Sequence, residues 1–229
     1  MTNPPIHSAE WKHLITEGAK AFDMHLAQEK VNQFAFHALE LLKWNRKTNL
    51  TAITDPLDVA VKHFLDSVAP ASLIPPGASL LDIGSGGGFP GIPLKIARPS
   101  VSVTLIDSSR KKVSFQKHII RSLGLQNIEA MHIRAEELAK APEYANAYDV
   151  IVCRALSALE AFILMASPLL AKDGMIIALK GKLSRAETES ARLRISEVFK
   201  TSKALTVKRY ALPYLKSERT IVCVNLNET

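Results

Sequence analysis

The spacing of apolar residues changes once along the chain. In the N-terminal third the apolar positions recur at helical intervals, whereas from Ala78 onward short apolar runs alternate with amphipathic stretches. The apolar clusters over 25–44 predict a largely buried helix. A second helix is predicted over 55–69, where Asp55 can act as the N-cap and Pro56 as the first helical residue.

The alternating part of the chain predicts a sheet flanked by helices. Five short apolar runs predict strands at 79–83, 101–106, 128–132, 149–153 and 175–179. The amphipathic segments predict helices at 90–97, 110–123, 158–170 and 183–198. Regular alternation of strand and helix favours a parallel sheet with helices on both faces.

The end of the chain follows a different pattern. The predicted strands 204–210 and 220–225 have only a short connection between them, which favours an antiparallel pair. We therefore predict an α/β fold, with a mostly parallel seven-stranded sheet that ends in an antiparallel hairpin. The Pro75-Pro76-Gly77 run predicts a boundary between a helical extension, 1–76, and an α/β domain, 77–229.

Composition indicates which class of protein this is and whether it attaches to a membrane. The 229 residues are 47% hydrophobic and 22% charged, as in ordinary globular proteins. No apolar run approaches the roughly 18–20 residues that span a membrane, and the N-terminus lacks an apolar signal core. We therefore expect a cytoplasmic protein without membrane attachment. A monomer is a separate expectation.

Cysteine content and charge bear on the chemistry. Cys153 and Cys223 lie in apolar, strand-like runs and are predicted to be buried free thiols. No Cys/His cluster has the spacing of a zinc site, so no metal is expected. The net charge of +7 favours an anionic partner such as nucleic acid.

Four glycines lie between the first strand and the following helix: Gly84, Gly86, Gly87 and Gly88. Glycine allows positive φ and lets a ligand lie against the main chain. In a doubly wound sheet this first strand-to-helix turn is where nucleotide ligands bind.

Two ligands compete for this loop. Residues 86–91 match the G-x-G-x-x-G pattern of dinucleotide folds, but Pro90 falls inside that window and Pro93 just after it. In that pattern the strand should also end at the first glycine, whereas here Gly84 already ends it. The alternative register, Asp82-x-Gly84-x-Gly86-x-Gly88, is typical of S-adenosylmethionine sites. Asp82 can receive the methionine ammonium, whereas it would repel a pyrophosphate. This register favours S-adenosylmethionine.

Two further segments fit the same ligand. Asp107 closes the second strand, where a carboxylate can accept both ribose hydroxyls. The alternative role of Asp107 is to cap the helix near Arg110, a role that Ser108 can share. After the third strand, the Ala135 main chain and Glu136 can contact the adenine ring, although Glu136 also suits the first turn of a helix.

Four residues are candidates for positioning the substrate. Arg154 and Lys180 end the fourth and fifth strands, at the sheet edge where ligands bind. Arg154 can contact a carboxylate, a phosphate or a guanine, or be a surface arginine. His63 and Asp66 share one helix face and can shape a guanine pocket or form a structural hydrogen bond.

Basic residues suggest where RNA could bind. They fall in two groups, which are Lys43, Arg46, Lys47 and Lys62 in the helical part and Arg110, Lys111, Lys112, Lys117 and Arg121 on one later helix. The second group could equally be a solvated helix face. Trp44 could stack on a base, but it also suits a buried helix anchor.

These segments together resemble the bacterial 16S ribosomal RNA guanine-N7 methyltransferases, the RsmG or glucose-inhibited division protein B (GidB) family. The W-N-x-x-x-N-L-T run from Trp44 and the H-x-L-D-S run from His63 are not general features of methyltransferases. The matching segments are Trp44-Asn45, Asn49-Leu50-Thr51, 61–67, 82–93, 105–108, Arg154-Ala155 and 178–181.

The resemblance implies a Rossmann-like class I methyltransferase fold and a reaction. The methyl group would pass from S-adenosylmethionine to N7 of guanosine 527 in 16S rRNA, with S-adenosylhomocysteine as product. It also assigns cofactor contacts to Gly84, Phe89, Ala135, Glu136 and Arg154. The full set of predicted cofactor contacts is Asp82, Gly84, Gly86, Gly88, Phe89, Asp107, Ser108, Ala135, Glu136 and Arg154.

The chemistry of the implied reaction agrees with the sequence. Guanine N7 carries an in-plane lone pair, so no general base is obligatory and catalysis can rest on alignment. The Asn/Asp-Pro-Pro-aromatic motif of adenine-N6 enzymes does not follow strand four. Cys153 keeps a cytosine-C5 mechanism open. Other open alternatives are a small-molecule or protein methyltransferase, an NAD-dependent oxidoreductase, and a nucleic-acid-binding protein with a vestigial cofactor site.

Overall fold

The computed structural model describes residues 3–154, 158–200, 205–215 and 217–226. Seven strands form one sheet, and they are β1 Ser79–Ile83, β2 Ser102–Asp107, β3 Ile128–His132, β4 Tyr148–Arg154, β5 Leu170–Lys180, β6 Leu205–Ala211 and β7 Glu218–Asn225. Their order is β3-β2-β1-β4-β5-β7-β6. The pairs among β1 to β5 are parallel, and β7 pairs antiparallel with β5 and β6. The predicted fold is confirmed.

Helices cover both faces of the sheet. They are α1 Ala9–Lys20, α2 Gln28–Thr48, α3 Pro56–Asp58, α4 Asp66–Val68, α5 Gly91–Ala97, α6 Arg110–Ser122, α7 Ala135–Leu138, α8 Leu159–Ala166 and α9 Arg185–Phe199. A π-helical segment, Val59–Leu65, joins α3 to α4 without a break. Within the described ranges, no helix is long and apolar enough to cross a membrane.

The N-terminal helices pack on one face of the sheet. Trp11 of α1 and Phe34 of α2 both contact Phe64 of the π-helical segment, with ring centroids 6.1 and 5.1 Å apart. These side chains belong to the same apolar cluster as Leu80 of β1 and Leu105 of β2. Helices α8 and α9 pack with a second cluster on the opposite face. The division at residue 76 stays a prediction.

The predicted helix over 158–170 is too long. Helix α8 ends at Ala166, and Pro168 follows within two residues. Proline cannot donate the backbone hydrogen bond that would continue the helix. Strand β5 begins at Leu170 and is irregular before Met175, where regular pairing with β4 resumes, so the apolar run from 175 predicted only its regular part.

The predicted helix over 25–44 is displaced. Helix α2 begins at Gln28 and continues through a polar last turn to Thr48. It ends where Asn49 adopts a left-handed conformation, with φ 47°. The apolar pattern stops before the helix does because the last turn is polar, with Arg46 and Lys47 exposed. The predicted start of the next helix is confirmed, since Asp55 accepts a hydrogen bond from the Asp58 amide at 3.0 Å.

Candidate cofactor and substrate site

The glycine loop leaves β1 at the carboxyl edge of the sheet. Gly84, Gly86 and Gly88 have φ angles of 72°, 56° and 87°, in the region that favours glycine. A Cβ on Gly88 would lie 2.4 Å from Ile92 Cδ1. A Cβ on Gly86 would meet nothing closer than the Gly84 oxygen at 3.9 Å. The loop is thus packed against α5 on one side and borders open space at Gly86.

Asp82 lies directly beneath this loop. Its side chain is fully buried, and Oδ2 accepts a hydrogen bond from the Gly91 amide at 2.7 Å. Oδ1 has no hydrogen-bond partner among the described residues. Burial raises the pKa of Asp82 to about 7. A buried carboxylate oxygen without a donor fits a cationic donor from a ligand, as the predicted methionine ammonium would supply.

Asp107 ends β2 beside the loop. Its carboxylate accepts hydrogen bonds from the amides of Gly86 at 2.9 Å and Ser109 at 2.8 Å. Neither Asp107 nor Ser108 is the N-cap of the next helix, because Ser109 occupies that position at the start of α6. The Ser109 side chain makes no capping hydrogen bond. The capping alternative was wrong. Ser108 is exposed, and its carbonyl accepts a hydrogen bond from His132 Nε2 at 3.0 Å.

The predicted adenine contacts lie at the same edge of the sheet. Asp107 is the register partner of His132, the last residue of β3. Ala135 is buried at the first position of α7, and Glu136 is exposed in the first turn of that helix. The structure therefore places the ends of β1, β2 and β3, with their predicted cofactor residues, side by side.

All four candidate substrate-positioning residues line one pocket of about 510 Å³. The pocket lies where β4 and β5 end and where the π-helical segment approaches the sheet. Its lining residues are Ile53, Lys62, His63, Asp66, Arg154, Leu179, Lys180, Gly181 and Arg219. The sequence predicted two pairs, His63 with Asp66 and Arg154 with Lys180, and the tertiary structure joins the two pairs in one pocket.

Arg154 is the last residue of β4 and is held by the helical segment. Its Nη1 donates to the Lys62 carbonyl at 2.7 Å, and its Nη2 lies 3.2 Å from His63 Nδ1. The guanidinium carbon lies 4.9 Å from the centroid of the Phe89 ring. Only 16% of the side chain is exposed, so the alternative of a surface arginine was wrong. Ala155, its partner in the Arg154-Ala155 pair, lies outside the described residues.

His63 is held in one tautomer. A guanidinium can only donate, so His63 Nδ1 accepts from Arg154 and the ring proton resides on Nε2. That Nε2–H donates to Thr51 Oγ1 at 2.8 Å. The Asn45 side chain exchanges two hydrogen bonds of 2.9 Å with the Thr51 main chain. The W-N-x-x-x-N-L-T run therefore positions Thr51, which in turn positions His63.

Burial and the neighbouring Arg154 lower the pKa of His63 to about 2. The imidazole therefore stays neutral at physiological pH. The π-helical geometry of its segment is a rare form that is frequent at functional sites. Both ring nitrogens are already engaged, so His63 is suited to shaping the pocket and poorly suited to moving protons.

Asp66 is buried at the back of the pocket. Its Oδ1 accepts a hydrogen bond from the Tyr210 hydroxyl at 2.6 Å. Arg154 and Arg219 lie 3.8 and 3.9 Å from the carboxylate. Burial raises the pKa of Asp66 despite these partners. Tyr210 and Arg219 are register partners in the β6–β7 hairpin, which therefore forms one wall of the pocket.

Lys180 ends β5 and forms an ion pair of 2.6 Å with Glu187 of α9. Both side chains are largely buried, at 12% and 25% exposed. The ion pair ties α9 to the pocket. Lys180 is therefore held at the pocket wall with its ammonium paired to a carboxylate.

Phe89 is enclosed at the end of the glycine loop. Its ring lies between the imidazoles of His37 and His63, at centroid distances of 4.8 and 4.5 Å. Only 4% of the residue is exposed. The ring thus packs against the helical extension, and a cofactor contact at Phe89 is left to its main chain.

Sequence reasoning missed two residues that hold the loop and two that build the pocket. The first two are His37 and Gln116, and the others are Tyr210 and Arg219. His37 and Gln116 are polar residues on the apolar faces of α2 and α6, an irregularity that could have been noticed. No local signal marks Tyr210 or Arg219, because their role depends on how the hairpin lies against Asp66.

The environment of Cys153 is not that of a cysteine nucleophile. The thiol is buried in β4, and burial raises its pKa well above the usual value. A thiolate is the reactive form of cysteine, so this environment weighs against the cytosine-C5 alternative. Among the described residues, no group of three His, Cys, Asp or Glu side chains could hold a metal ion.

The sheet order, the glycine loop after β1 and the carboxylate at the end of β2 define a class I S-adenosylmethionine-dependent methyltransferase. The fold matches that of a predicted O-methyltransferase from Agrobacterium tumefaciens, with TM-score 0.55 and 17% identity over 70% of this chain and 80% of that one. It also matches precorrin-6y C5,15-methyltransferase from Geobacter metallireducens, with TM-score 0.50 and 13% identity over 69% and 85% of the two chains.

Comparison of sequences gives the family. The GidB model, described as rRNA small subunit methyltransferase G, matches residues 28–218. The ribosomal RNA small subunit methyltransferase G of Geotalea uraniireducens is 46% identical over 181 residues, which cover 79% of this chain and 82% of that protein. The protein of the same name from Geobacter sulfurreducens is 41% identical over 209 residues, covering 91% and 94%.

The chain therefore belongs to the rRNA small subunit methyltransferase G family. The predicted family is confirmed, and so is its cofactor, S-adenosylmethionine. The dinucleotide interpretation of residues 86–91 was wrong.

Proposed function

We propose that this enzyme methylates N7 of guanosine 527 in the 16S rRNA of the small ribosomal subunit. The transfer is in line and uses no obligatory general base. Family membership supports ribosomal RNA as the substrate. The observation that carries the proposal is the pocket of about 510 Å³, whose walls combine cationic side chains with one buried carboxylate.

We assign the cofactor to the glycine loop and the ends of β1 to β3. Asp82 Oδ1 receives the methionine ammonium, directly or through water, and the open face of Gly86 accommodates the ligand. Asp107 keeps free lone pairs on both oxygens, which can accept the ribose hydroxyls. Ala135 and Glu136 border the base. When bound, S-adenosylmethionine supplies an electrophilic methyl group on a sulfonium.

The pocket suits the recognition of guanine beside a phosphate backbone. Its four cationic side chains outnumber the three carboxylates beside them, so a positive charge remains that favours a polyanion. The cations are Lys62, Arg154, Lys180 and Arg219, and the carboxylates are Asp58, Asp66 and Glu187. Asp66 offers a carboxylate that can accept hydrogen bonds from the N–H groups of guanine. Arg154 presents a planar guanidinium at the pocket wall, between the helical segment and Phe89.

The residues of the pocket are suited to orientation rather than proton transfer. His63 has both ring nitrogens engaged, and the Asp66 carboxylate is held by Tyr210. Guanine N7 carries no proton in the neutral base, so a general base would have no proton to remove before methyl transfer. Alignment alone can supply up to roughly 7–11 kcal/mol of barrier reduction.

We place the RNA backbone along α2 and α6. These helices are joined by the Trp44–His118 ring stack, with centroids 5.2 Å apart, and by the hydrogen bond of 2.7 Å from His118 to Glu40. Exposed cations flank this junction, namely Lys43, Arg46 and Lys47 on α2 and Arg110, Lys111, Lys117 and Arg121 on α6. Trp44 also packs on Phe115 at 5.5 Å, which favours its role as a helix anchor.

The test uses small subunits from cells that lack this gene. In parallel reactions with S-adenosylmethionine, the purified enzyme is incubated with these finished subunits, with assembling particles and with naked rRNA from the same cells. The rRNA is then digested and mapped by mass spectrometry. We expect one N7-methylguanosine, at position 527. A methyl group elsewhere, or none on naked rRNA, assembling particles and finished subunits alike, would contradict the proposal.

A further inference from the structure

Two carbonyl groups of the glycine loop are held by side chains from two different helices. The Gly87 carbonyl lies 2.8 Å from Nε2 of His37 on α2. The Gly86 carbonyl accepts a hydrogen bond of 2.8 Å from Nε2 of Gln116 on α6. The same Gln116 nitrogen also donates to Ser85 Oγ at 2.9 Å. The loop is therefore held by hydrogen bonds from α2 on one side and from α6 on the other.

The protonation state of His37 follows from its partner. A carbonyl oxygen only accepts, so His37 carries its proton on Nε2 and donates to Gly87. Nδ1 is buried and has no partner among the described residues. The residue is fully buried, and burial lowers the pKa of the imidazole to about 4. His37 is thus a neutral imidazole whose N–H group donates its hydrogen bond to the loop, at the Gly87 carbonyl.

Neither side chain is explained by packing alone. His37 and Gln116 are fully buried polar residues at positions where the helix faces are otherwise apolar. Burying a polar group is costly unless its hydrogen bonds are made. Apolar residues of similar size would fill both positions at lower cost, yet they could not fix the loop carbonyls.

We propose that His37 and Gln116 are positioning residues for the cofactor, which fix the Gly86–Gly87 main chain in the conformation that binds S-adenosylmethionine. This inference rests on the cofactor site assigned above to the glycine loop. A loop that is already ordered loses less conformational freedom when a ligand binds. His37 also fixes the loop through the face of Phe89, which is stacked on its ring at 4.8 Å.

The test measures S-adenosylmethionine binding by calorimetry in four variants. His37→Phe keeps the ring and removes the donor, and His37→Gln restores an N–H donor without the ring. Gln116→Met removes both loop hydrogen bonds at nearly constant volume. Phe34→Leu is the matched control, because Phe34 is buried one turn away on α2 and packs on Phe64 rather than on the loop.

We expect the Kd of His37→Phe to rise about tenfold, on the scale of one lost buried hydrogen bond. The Kd of Gln116→Met should rise at least as much, because this variant loses two loop hydrogen bonds. His37→Gln should recover part of that loss. Phe34→Leu should lower the melting temperature and leave the Kd unchanged. With RNA substrate, the two donor-lacking variants should raise KM for S-adenosylmethionine and leave kcat at saturation near that of the unmodified enzyme.

An unchanged Kd in His37→Phe and Gln116→Met, with a loss of stability like that of Phe34→Leu, would overturn the proposal. If His37→Phe does not fold, Gln116→Met decides the question. Binding of S-adenosylmethionine needs no RNA, so this experiment remains decisive even if the proposed rRNA position is wrong.

Discussion

The imidazole of His63 lies parallel to the ring of Phe89, with centroids 4.5 Å apart and planes 10° apart. His63 lines the substrate pocket, and Phe89 ends the glycine loop. One aromatic contact therefore connects the two halves of the proposed active site. His37 packs on the same Phe89 ring at 4.8 Å, which ties the helical extension to the loop as well.

Phe89→Leu should weaken both halves of the site. The substitution removes stacking with two imidazoles, and we expect the free energy of unfolding to fall by about 1–3 kcal/mol. The Kd for S-adenosylmethionine and the KM for RNA should both rise. Urea denaturation and calorimetry measure these effects. Leu164→Ala, at a position 44% exposed, should change stability by less than about 0.5 kcal/mol. If only the Kd for S-adenosylmethionine or only the KM for RNA changes, the shared role of Phe89 is contradicted.

Gly86→Asp should abolish cofactor binding. The substitution adds bulk and negative charge where a Cβ would face open space in the loop. Gly77→Asp is a matched control, because Gly77 also has positive φ, at 77°, and a Cβ there would meet nothing within 4 Å. Both variants carry similar backbone strain, so only the ligand site distinguishes them. Equal calorimetric affinity in the two variants would refute the assignment of the loop.

The affinity for S-adenosylmethionine should depend on Asp82 ionisation. Burial raises the pKa of Asp82 to about 7 in the free protein, and a bound ammonium favours the ionised form. Below pH 7, binding must therefore displace a proton, and affinity should fall by about tenfold per pH unit as pH decreases. Calorimetry between about pH 5 and 6.5 stays more than one unit below the pKa of about 7.7–8.0 of an α-amino group, so the ligand's own ammonium remains protonated throughout.

Asp82→Asn separates this effect from other titrations. The variant should bind more weakly and lose the pH slope. His37 and His63 do not titrate in this range, because burial lowers their pKa values to about 4 and about 2. A slope that persists in Asp82→Asn would assign the pH dependence to another group.

Cys153→Ala should retain methyltransferase activity. The thiol is buried in β4 and its pKa is raised, so it is not available as a thiolate. Activity on small subunits and cofactor affinity are measured together. Complete loss of activity with intact cofactor binding would favour a cysteine nucleophile and a pyrimidine target.

RNA binding should weaken steeply with salt. Each phosphate contact contributes roughly 0.7 to 0.9 to the slope of log K against log salt concentration. Lys47→Gln and Lys117→Gln, at exposed positions on α2 and α6, should each reduce the slope by about one such contact. Lys20→Gln on α1 is the control and should leave it unchanged. A flat salt response in the unmodified enzyme would argue against recognition through phosphates.

Local spacing was enough to predict most of the sheet. Strands β1 and β3 begin and end where the apolar runs predict. A short apolar run between turn residues is too short for a buried helix, so a buried strand is the structure it favours. The pattern was a poorer guide around residue 170, where the irregular start of β5 depends on pairing with β4. It also missed the last turn of α2, whose polar residues carry no apolar signal.

The sequence by itself determined the chemistry of the glycine loop, since positive φ at Gly84, Gly86 and Gly88 and the carboxylate of Asp82 are properties of one short segment. Only the tertiary structure decided what surrounds that segment. The pocket joins residues from Ile53 to Arg219, and the loop is held from α2 and α6. Periodicity indicates which face of a helix is buried, but the partners of a buried polar side chain depend on how the helices dock.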